Sequence, residues 1–122
     1  MIKMIYCIRR KPEMGKKDFL DYWHTSHAAL VKKNAPALRI KRYIQNPILD
    51  DPLNEAITTI KGHSAPYDGV AELWWDSIED LQAAASTSEG GVAQTELFED
   101  EQKFIDFPAS CSWLVTEKSI IE

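Results

Sequence analysis

Residues 67–86 read YDGVAELWWDSIEDLQAAAS and predict a strand that runs directly into a helix. Side chains alternate between the two faces of a strand. One face of strand 67–75 would carry Gly69, Ala71, Leu73 and Trp75, and the other Asp68, Val70, Glu72 and Trp74. Both faces are partly apolar, so both need a covering layer. Ser77, followed three residues later by Asp80, approximates a capping box and predicts an alanine-rich helix over 77–86.

Further elements surround this unit. Three more segments are rich in strand-forming residues: IKMIYCIRR (2–10), LRIKRYIQN (38–46) and CSWLVTEKSI (111–120). In the second of these, alternation places Ile44 on the buried side and Tyr43 opposite. A helix is expected over 16–34, ending before Pro36, and an acidic helical segment within 88–106. Residues 47–66 predict a long lid or arm with a short helical turn at NEAITTI.

The resulting order, β-α-β-β-α-β, predicts a single α+β domain over 1–122 with a ferredoxin-like fold. Right-handed crossovers place the helices on one face of a four-stranded antiparallel sheet. One layer of helices covers only one face, and the other face is also partly apolar. We therefore expect a homodimer that packs sheet to sheet across a two-fold axis.

The composition excludes several classes of protein. Hydrophobic residues make up 44% and charged residues 27% of the 122-residue chain, as in globular domains. A net charge of −5 without a basic stripe argues against nucleic-acid binding. No apolar run could span a membrane or act as a signal peptide. Cys7 and Cys111 lie in apolar strands and predict buried free thiols in a reducing cytoplasm, with a disulfide as the alternative.

The stretch FLDYWHTSH (19–27) contains the main candidate for chemistry. At about 100° per residue, His27 lies on the apolar stripe with Phe19 and Trp23, whereas His24 lies at its solvated edge. His27 is either a neutral core imidazole bound to a backbone carbonyl or a general acid/base in an apolar pocket. The two histidine rings diverge by about 60° and no third ligand has a suitable spacing, so we predict no metal site.

Three other polar side chains are candidate catalytic partners. Glu72 lies on a strand between Val70 and Trp74, where it either pairs with a lysine or arginine or acts as a carboxyl group with a raised pKa in an apolar cleft. Tyr6 and Tyr22 could each direct a phenol at a ligand oxygen, although core tyrosines with a bonded hydroxyl are the common alternative.

Aromatic and loop residues are candidates for substrate binding. Trp23 and Trp74 could form the wall for a flat ligand, or simply fill the core. His24 is a candidate at the rim of the pocket. His63 and Tyr67 flank the end of the long connection, where they could belong to a lid or to the plain surface.

Four stretches of the chain resemble the EthD-like family of dimeric α+β barrels. They are MIYCIRRKPEM (4–14), FLDYWHTSH (19–27), YDGVAELWWDSIEDLQAA (67–84) and ELFEDEQKFIDF (96–107). The most specific pattern is F-x-x-Y-W-x-x-x-H, matched by Phe19, Tyr22, Trp23 and His27. The resemblance implies a face-to-face homodimer with a pocket between sheet and helices. It also implies kinship with cofactor-free isomerases, dehydratases and cyclases of aromatic and polyketide pathways. The isomerase-like members carry a cysteine at the position of Leu73.

These observations together predict a cofactor-independent enzyme acting on a small apolar compound, aromatic or lactone-like, by proton transfer. His27 would be the general acid/base, assisted by Tyr6, Tyr22 and Glu72. Two alternatives are a non-catalytic dimer that binds a hydrophobic ligand and a cofactor-free monooxygenase.

Overall fold

Four strands form one antiparallel sheet in the computed structural model, which describes residues 1–122. They are β1 (Ile2–Ile8), β2 (Arg42–Pro47), β3 (Gly69–Trp75) and β4 (Cys111–Val115). Their order across the sheet is β2-β3-β1-β4. All neighbouring strands pair antiparallel. The predicted ferredoxin-like α+β fold is confirmed, although β1 ends two residues and β4 five residues earlier than expected.

The first crossover is one long helix in three parts. It comprises α1 (Lys16–Tyr22), a π-helical turn (Trp23–His27) and α2 (Ala28–Leu38). The prediction that it ends before Pro36 is wrong, because proline's fixed φ suits a helix and only one backbone hydrogen bond is lost. Arg39 ends the helix in the left-handed conformation with φ of 57°. Strand β2 consequently begins at Arg42, four residues later than predicted.

The long connection contains a full helix, α3 (Pro52–Lys61), where only a short turn was expected. Asp51 caps its start by accepting a hydrogen bond from the Leu53 N–H. Gly62, at φ of 64°, ends it in the left-handed conformation. A side-chain cap, a proline at the first helical position and a closing glycine are together sufficient to define a helix in this polar segment.

The second crossover consists of α4 (Ile78–Ala85) and α5 (Ser88–Glu101). Ser77 accepts a hydrogen bond from the Asp80 N–H, as the capping pattern predicted. Thr87 caps α5 in the same way at Gly90. Helix α5 packs against α2. None of the helices combines the length and the apolar character that crossing a bilayer requires.

The register assigns a face to each strand residue. Tyr43, Leu73 and Met4 are aligned across β2, β3 and β1, and Gln45, Ala71 and Tyr6 form the next such row. The helices cover this face. Ile44 lies on the other face, so the expected orientation of the second strand is wrong. The main cluster of buried hydrophobic residues consists of Ile8, Phe19, Trp23, Ala71, Phe104 and Ile105.

The two adjacent tryptophans point to opposite sheet faces, as alternation predicts. Trp75 lies under the helices, and its indole N–H donates to the Leu38 carbonyl. Trp74 lies on the open face between two cations, Lys3 at 4.9 Å and Arg42 at 4.6 Å from its ring centre.

Candidate functional site

A cavity of about 330 Å³ lies between the helices and the covered face of the sheet. Its lining is mainly apolar and comes from all four strands, the long first helix, α5 and the segment that follows α5. Its polar side chains are Tyr6, His27, Tyr43, Glu101 and Ser112. A mainly apolar cavity with a few convergent polar groups is the usual form of a small-molecule site.

The π-helical turn places His27 in this cavity. The Ala28 N–H donates to the Trp23 carbonyl five residues earlier, which widens the helix by one residue at this point. Such turns are rare and occur frequently at functional sites. His27 is only 5% exposed, and its ring meets the Phe104 ring edge-on at 4.9 Å between centres.

A buried carboxylate orients the imidazole. His27 Nδ1 lies 2.8 Å from Asp100 Oδ2, and Asp100 is only 3% exposed. The Tyr22 hydroxyl donates to Asp100 Oδ1 at 2.5 Å, and Lys103 Nζ lies 3.4 Å from the same oxygen. Burial raises the pKa of Asp100, but the hydrogen bonds from Tyr22 and His27 outweigh it, so the pKa is lowered overall. Asp100 is therefore ionised at neutral pH.

The protonation of His27 follows from this contact. Burial lowers the pKa of His27, and the bond to Asp100 opposes that effect only in part, so the imidazole is neutral near pH 7. Asp100 is an acceptor, so the single ring proton lies on Nδ1. Asp100, bonded at Nδ1, is the only hydrogen-bond partner of the ring, so Nε2 is free. The free lone pair on Nε2 can accept a proton, and Asp100 stabilises the cation that results.

Glu101 is the second titratable group of the cavity. Burial, followed by repulsion from Asp100, raises its pKa from an ordinary 4.5 to about 7. No side-chain hydrogen bond to its carboxyl group contributes to this shift. Burial and the charge of Glu101 together raise the pKa of Tyr6 and raise that of Tyr43 to about 12. Both phenols therefore keep their protons and can donate hydrogen bonds to a ligand.

Sequence reasoning missed Asp100 and Glu101. The stretch ELFEDE looked like the exposed face of an acidic helix. A signal was nevertheless present, because Ala93, Leu97, Asp100 and Phe104 follow one another at intervals of four, three and four residues. That spacing marks the inward stripe of a helix. A carboxylate on such a stripe needs a buried partner, and His27 is the only histidine on a predicted apolar face.

The other predicted site residues are dispersed. Glu72 and Trp74 lie on the open face of the sheet and do not join His27 in the cavity. Of the two expectations for Glu72, the structure shows the ion pair, which Glu72 forms with Lys3 at 2.9 Å. The pKa of Glu72 is lowered by hydrogen bonds from Lys3 and Asn46. The open-face position of both residues follows from the two-residue period of β3, which turns residues 72 and 74 away from Ala71 and Leu73.

Tyr6 and Trp23 line the cavity, whereas Tyr22 acts behind it by bonding Asp100. His63 is exposed on the long connection, away from the cavity lining. Tyr67 lies on the open face, where its hydroxyl is 3.3 Å from Cys111 Sγ. Neither residue joins His27 in the cavity, and of the two positions expected for His63, a lid or the plain surface, the residue is exposed at the surface.

His24 lies in a second cleft of about 560 Å³ on the other side of Trp23. Trp23 and Tyr43 line both the cleft and the inner cavity. Gln45 braces this shared wall, since its amide donates to the Trp23 carbonyl at 2.8 Å and to the Tyr43 hydroxyl at 2.9 Å. Gly69 packs directly beneath Trp23. A Cβ at that position would lie 2.5 Å from the indole ring, so glycine is required there.

No cluster of three or more His, Cys, Asp or Glu side chains is arranged to hold a metal ion. The polar groups of the cavity are those of acid–base chemistry: a neutral imidazole, a carboxyl group with a pKa near neutrality and two protonated phenols.

Comparisons with known proteins show what the chain resembles. The profile of the EthD domain matches residues 11–108. A crystal structure of an ethyl tert-butyl ether D (EthD) family protein from Bacillus halodurans is 22% identical, with a TM-score of 0.64 over 97% of this chain and 99% of that one.

Two more distant structures share the fold. A dimeric protein of unknown function with a ferredoxin-like fold from Bacteroides fragilis is 9% identical, with a TM-score of 0.58 over 93% of each chain. SnoaB, a cofactor-independent oxygenase from Streptomyces nogalater, is 12% identical, with a TM-score of 0.55 over 98% of this chain and 95% of that one. No curated protein matches the chain in sequence. Because the profile covers most of its length, the chain belongs to the EthD family.

Proposed function

We propose that this protein is a cofactor-independent enzyme that moves protons on a small, largely apolar compound, aromatic or lactone-like. The observation that carries the proposal is the buried pair His27–Asp100 on the wall of an apolar cavity that also contains Glu101. The reaction class is isomerisation, dehydration or cyclisation, in aromatic catabolism or polyketide-type metabolism. Each of these needs a base at one atom of the substrate and an acid at another.

His27 is the proposed base. Its Nε2 takes a proton from an acidic C–H or O–H of the ligand, and Asp100 stabilises the imidazolium through Nδ1. Tyr22 keeps Asp100 oriented by donating to its other oxygen. Positioned general bases of this kind contribute about 10²–10⁴-fold to the rate.

Glu101 is the proposed acid. A pKa of about 7 leaves its carboxyl group partly protonated at neutral pH, so it can return a proton at a second site on the ligand. Tyr6 and Tyr43 donate hydrogen bonds to the oxygen on which negative charge develops. The Tyr43 hydroxyl accepts from Gln45, which directs its own proton elsewhere.

The size and lining of the cavity suit this substrate class. A volume of about 330 Å³ lies at the lower end of the range typical of ligand pockets. Trp23 and the other apolar side chains around His27 lower the local dielectric constant, which strengthens the electrostatic interactions inside. Trp23 is the proposed contact for a flat ring. His24 is the proposed polar contact in the outer cleft.

The proposed assembly is a homodimer that packs through the open face of the sheet. This face carries Ile5, Ile44 and Val70, and Trp113 at its edge is 60% exposed. A neighbour of the same fold is described as dimeric. The proposed compartment is the cytoplasm, where the two free thiols would stay reduced.

A second candidate function is oxygenation without a cofactor. The SnoaB likeness favours it, since that protein is described as a cofactor-independent oxygenase. The same base would serve, because deprotonating an electron-rich phenol makes the carbanion or phenolate that reacts with oxygen. The two candidates therefore differ after the first proton transfer.

Anthrone distinguishes these functions in one experiment, because it can tautomerise by proton transfer or be oxidised to a quinone. The parent protein and the variant His27→Gln are incubated with anthrone in deuterated buffer, with and without oxygen. Proton transfer predicts enzyme-dependent deuterium incorporation under nitrogen, and oxygenation predicts quinone with oxygen consumption. His63→Gln is the matched control and should keep full activity, because His63 is exposed and lies outside the cavity lining. Quenching of tryptophan fluorescence by anthrone without either product would contradict catalysis and indicate a ligand-binding protein.

A further inference from the structure

Two cysteines that are about a hundred residues apart in sequence face each other across the edge of the sheet. Cys7 on β1 and Cys111 on β4 are direct partners in the antiparallel register. Directly opposite residues project their side chains to the same face. Both side chains therefore lie on the open face of the sheet, and both are half-buried free thiols.

The backbone separation suits a covalent bond between them. Opposite residues of an antiparallel pair have Cα atoms about 4.5 or 5.5 Å apart, depending on whether they exchange backbone hydrogen bonds. Disulfides require a Cα separation of about 4.4–6.8 Å. Both registers fall within that range, so the pairing meets the backbone-distance requirement of a disulfide.

The thiols have different surroundings. Cys111 lies on the edge strand, and its sulfur is 3.3 Å from the Tyr67 hydroxyl. The Arg9 guanidinium lies over the Tyr67 ring at 4.3 Å, where it is held by the carbonyls of Ala65 and Pro66. Cys7 lies on an inner strand, and burial followed by the neighbouring Cys111 thiol raises its pKa. Because Cys111 lies on the edge strand, it is the thiol assigned to the first attack, and Cys7 is the thiol that completes the bond.

We propose that Cys7 and Cys111 form a redox-active dithiol that small-molecule disulfides convert to a cross-strand disulfide within one chain. The Cys111 thiolate attacks a sulfur of glutathione disulfide, forms a mixed disulfide and releases one glutathione thiolate. Cys7, as its thiolate, then attacks Cys111 Sγ and releases the second glutathione. The protein loses two electrons and two protons, and one glutathione disulfide becomes two glutathione molecules.

The disulfide would act on the candidate site through β4. Ser112, next to Cys111, lines the His27 cavity. A covalent bond from β4 to the inner strand β1 fixes the edge of the cavity wall. This inference does not depend on the proposed enzymatic function, because it rests on the register and on the surroundings of the thiols alone.

The test is an equilibrium titration of the folded protein in glutathione buffers of increasing oxidised fraction, followed by alkylation and intact mass measurement. The expected product has lost both alkylatable thiols and two hydrogens, carries no glutathione, and returns to the dithiol with dithiothreitol. For a loop of about a hundred residues, the folded chain should favour the disulfide over the urea-unfolded chain by about 10³-fold. The open face is also the proposed dimer interface, so the titration is run to equilibrium, where accessibility affects only the rate.

Two variants assign the steps, with circular dichroism to check folding. Cys7→Ser should accumulate a single glutathione adduct on Cys111. Tyr67→Phe keeps the ring under Arg9 but lacks the hydroxyl, and should form the same disulfide more slowly. The proposal is overturned if the folded parent keeps two alkylatable thiols at every ratio or yields only glutathione adducts or interchain disulfides. It is also overturned if the folded and unfolded chains have the same midpoint of disulfide formation in the glutathione titration.

Discussion

Replacing Glu101 by Gln should stabilise the protein above neutral pH and have little effect in acid. The carboxyl group of Glu101 faces an apolar cavity and no side-chain hydrogen bond offsets its burial, so its charged form is poorly solvated. Glutamine has nearly the same shape and is neutral at every pH. The variant therefore imitates the protonated glutamic acid and removes the burial of a charge.

The magnitude follows from the pKa. The folded chain holds the Glu101 proton up to a pKa of about 7, whereas the ordinary value is 4.5. Between pH 4.5 and about pH 7, folding therefore takes up a proton at Glu101. The stability that this proton contributes is fully present below about pH 4.5 and is lost as the pH rises through about 7. At about 1.4 kcal/mol per pKa unit, the loss reaches about 3 kcal/mol above pH 8.

Urea unfolding followed by tryptophan fluorescence at pH 5 and pH 8 measures this difference. Protonation of His27 also affects the parent between these values, with the opposite sign, because burial lowers its pKa. The quantity compared is therefore the difference in the free energy of unfolding between Glu101→Gln and the parent at each pH. Glu99→Gln removes a charge from the exposed side of the same helix and should follow the parent. Equal differences at pH 5 and pH 8 would refute the argument that Glu101 is a carboxyl group kept protonated by burial.

Three further predictions concern packing, the orienting carboxylate and assembly. Gly69→Ala should lower the free energy of unfolding in urea by about 1–3 kcal/mol, because its Cβ overlaps Trp23. Gly91→Ala lies in helix α5 with open space around it and should raise the free energy of unfolding by about 1 kcal/mol. Equal effects would contradict the close packing under Trp23. Tyr22→Phe should lower the free energy of unfolding by about 1–3 kcal/mol, since buried Asp100 loses a hydrogen-bond donor. It should also move the midpoint of acid unfolding to higher pH. An unchanged midpoint would show that Tyr22 does not stabilise the Asp100 carboxylate. Trp113→Glu should produce a monomer in light scattering with unchanged circular dichroism, and a persistent dimer would place the interface elsewhere.

The periodicity of the apolar residues was sufficient to predict the order of the helices and strands and, for most strands, which residues share a face. The two-residue alternation of β3 correctly placed Ala71 and Leu73 opposite Glu72 and Trp74. The second strand was assigned the wrong orientation, because LRIKRYIQN includes the end of a helix. Ile40 and Ile44 suggested an apolar stripe, but only residues 42–47 form the strand, and there Tyr43 faces the helices.

Local sequence signals also led to wrong predictions of where some helices begin and end. Pro36 indicated the end of a helix, yet tertiary packing carries the helix on to Leu38, which is buried and accepts the Trp75 indole hydrogen bond. The caps of α3, Asp51 and Gly62, were present in the sequence, but the prolines and polar residues around them suggested a loop. Local propensities are smaller than the free energy of packing, so packing decides where two signals conflict.

The sequence by itself determined the EthD-type fold and the inward position of His27, because both depend on periodicity and on one local pattern. Only the tertiary structure decided which groups surround that histidine. Asp100 and Glu101 lie more than seventy residues further along the chain, and they reach the cavity because α5 packs against α2. The same holds for Cys7 and Cys111, whose pairing depends on the strand register. Contacts between distant segments are set by the packing of whole elements, which no local pattern of residues encodes.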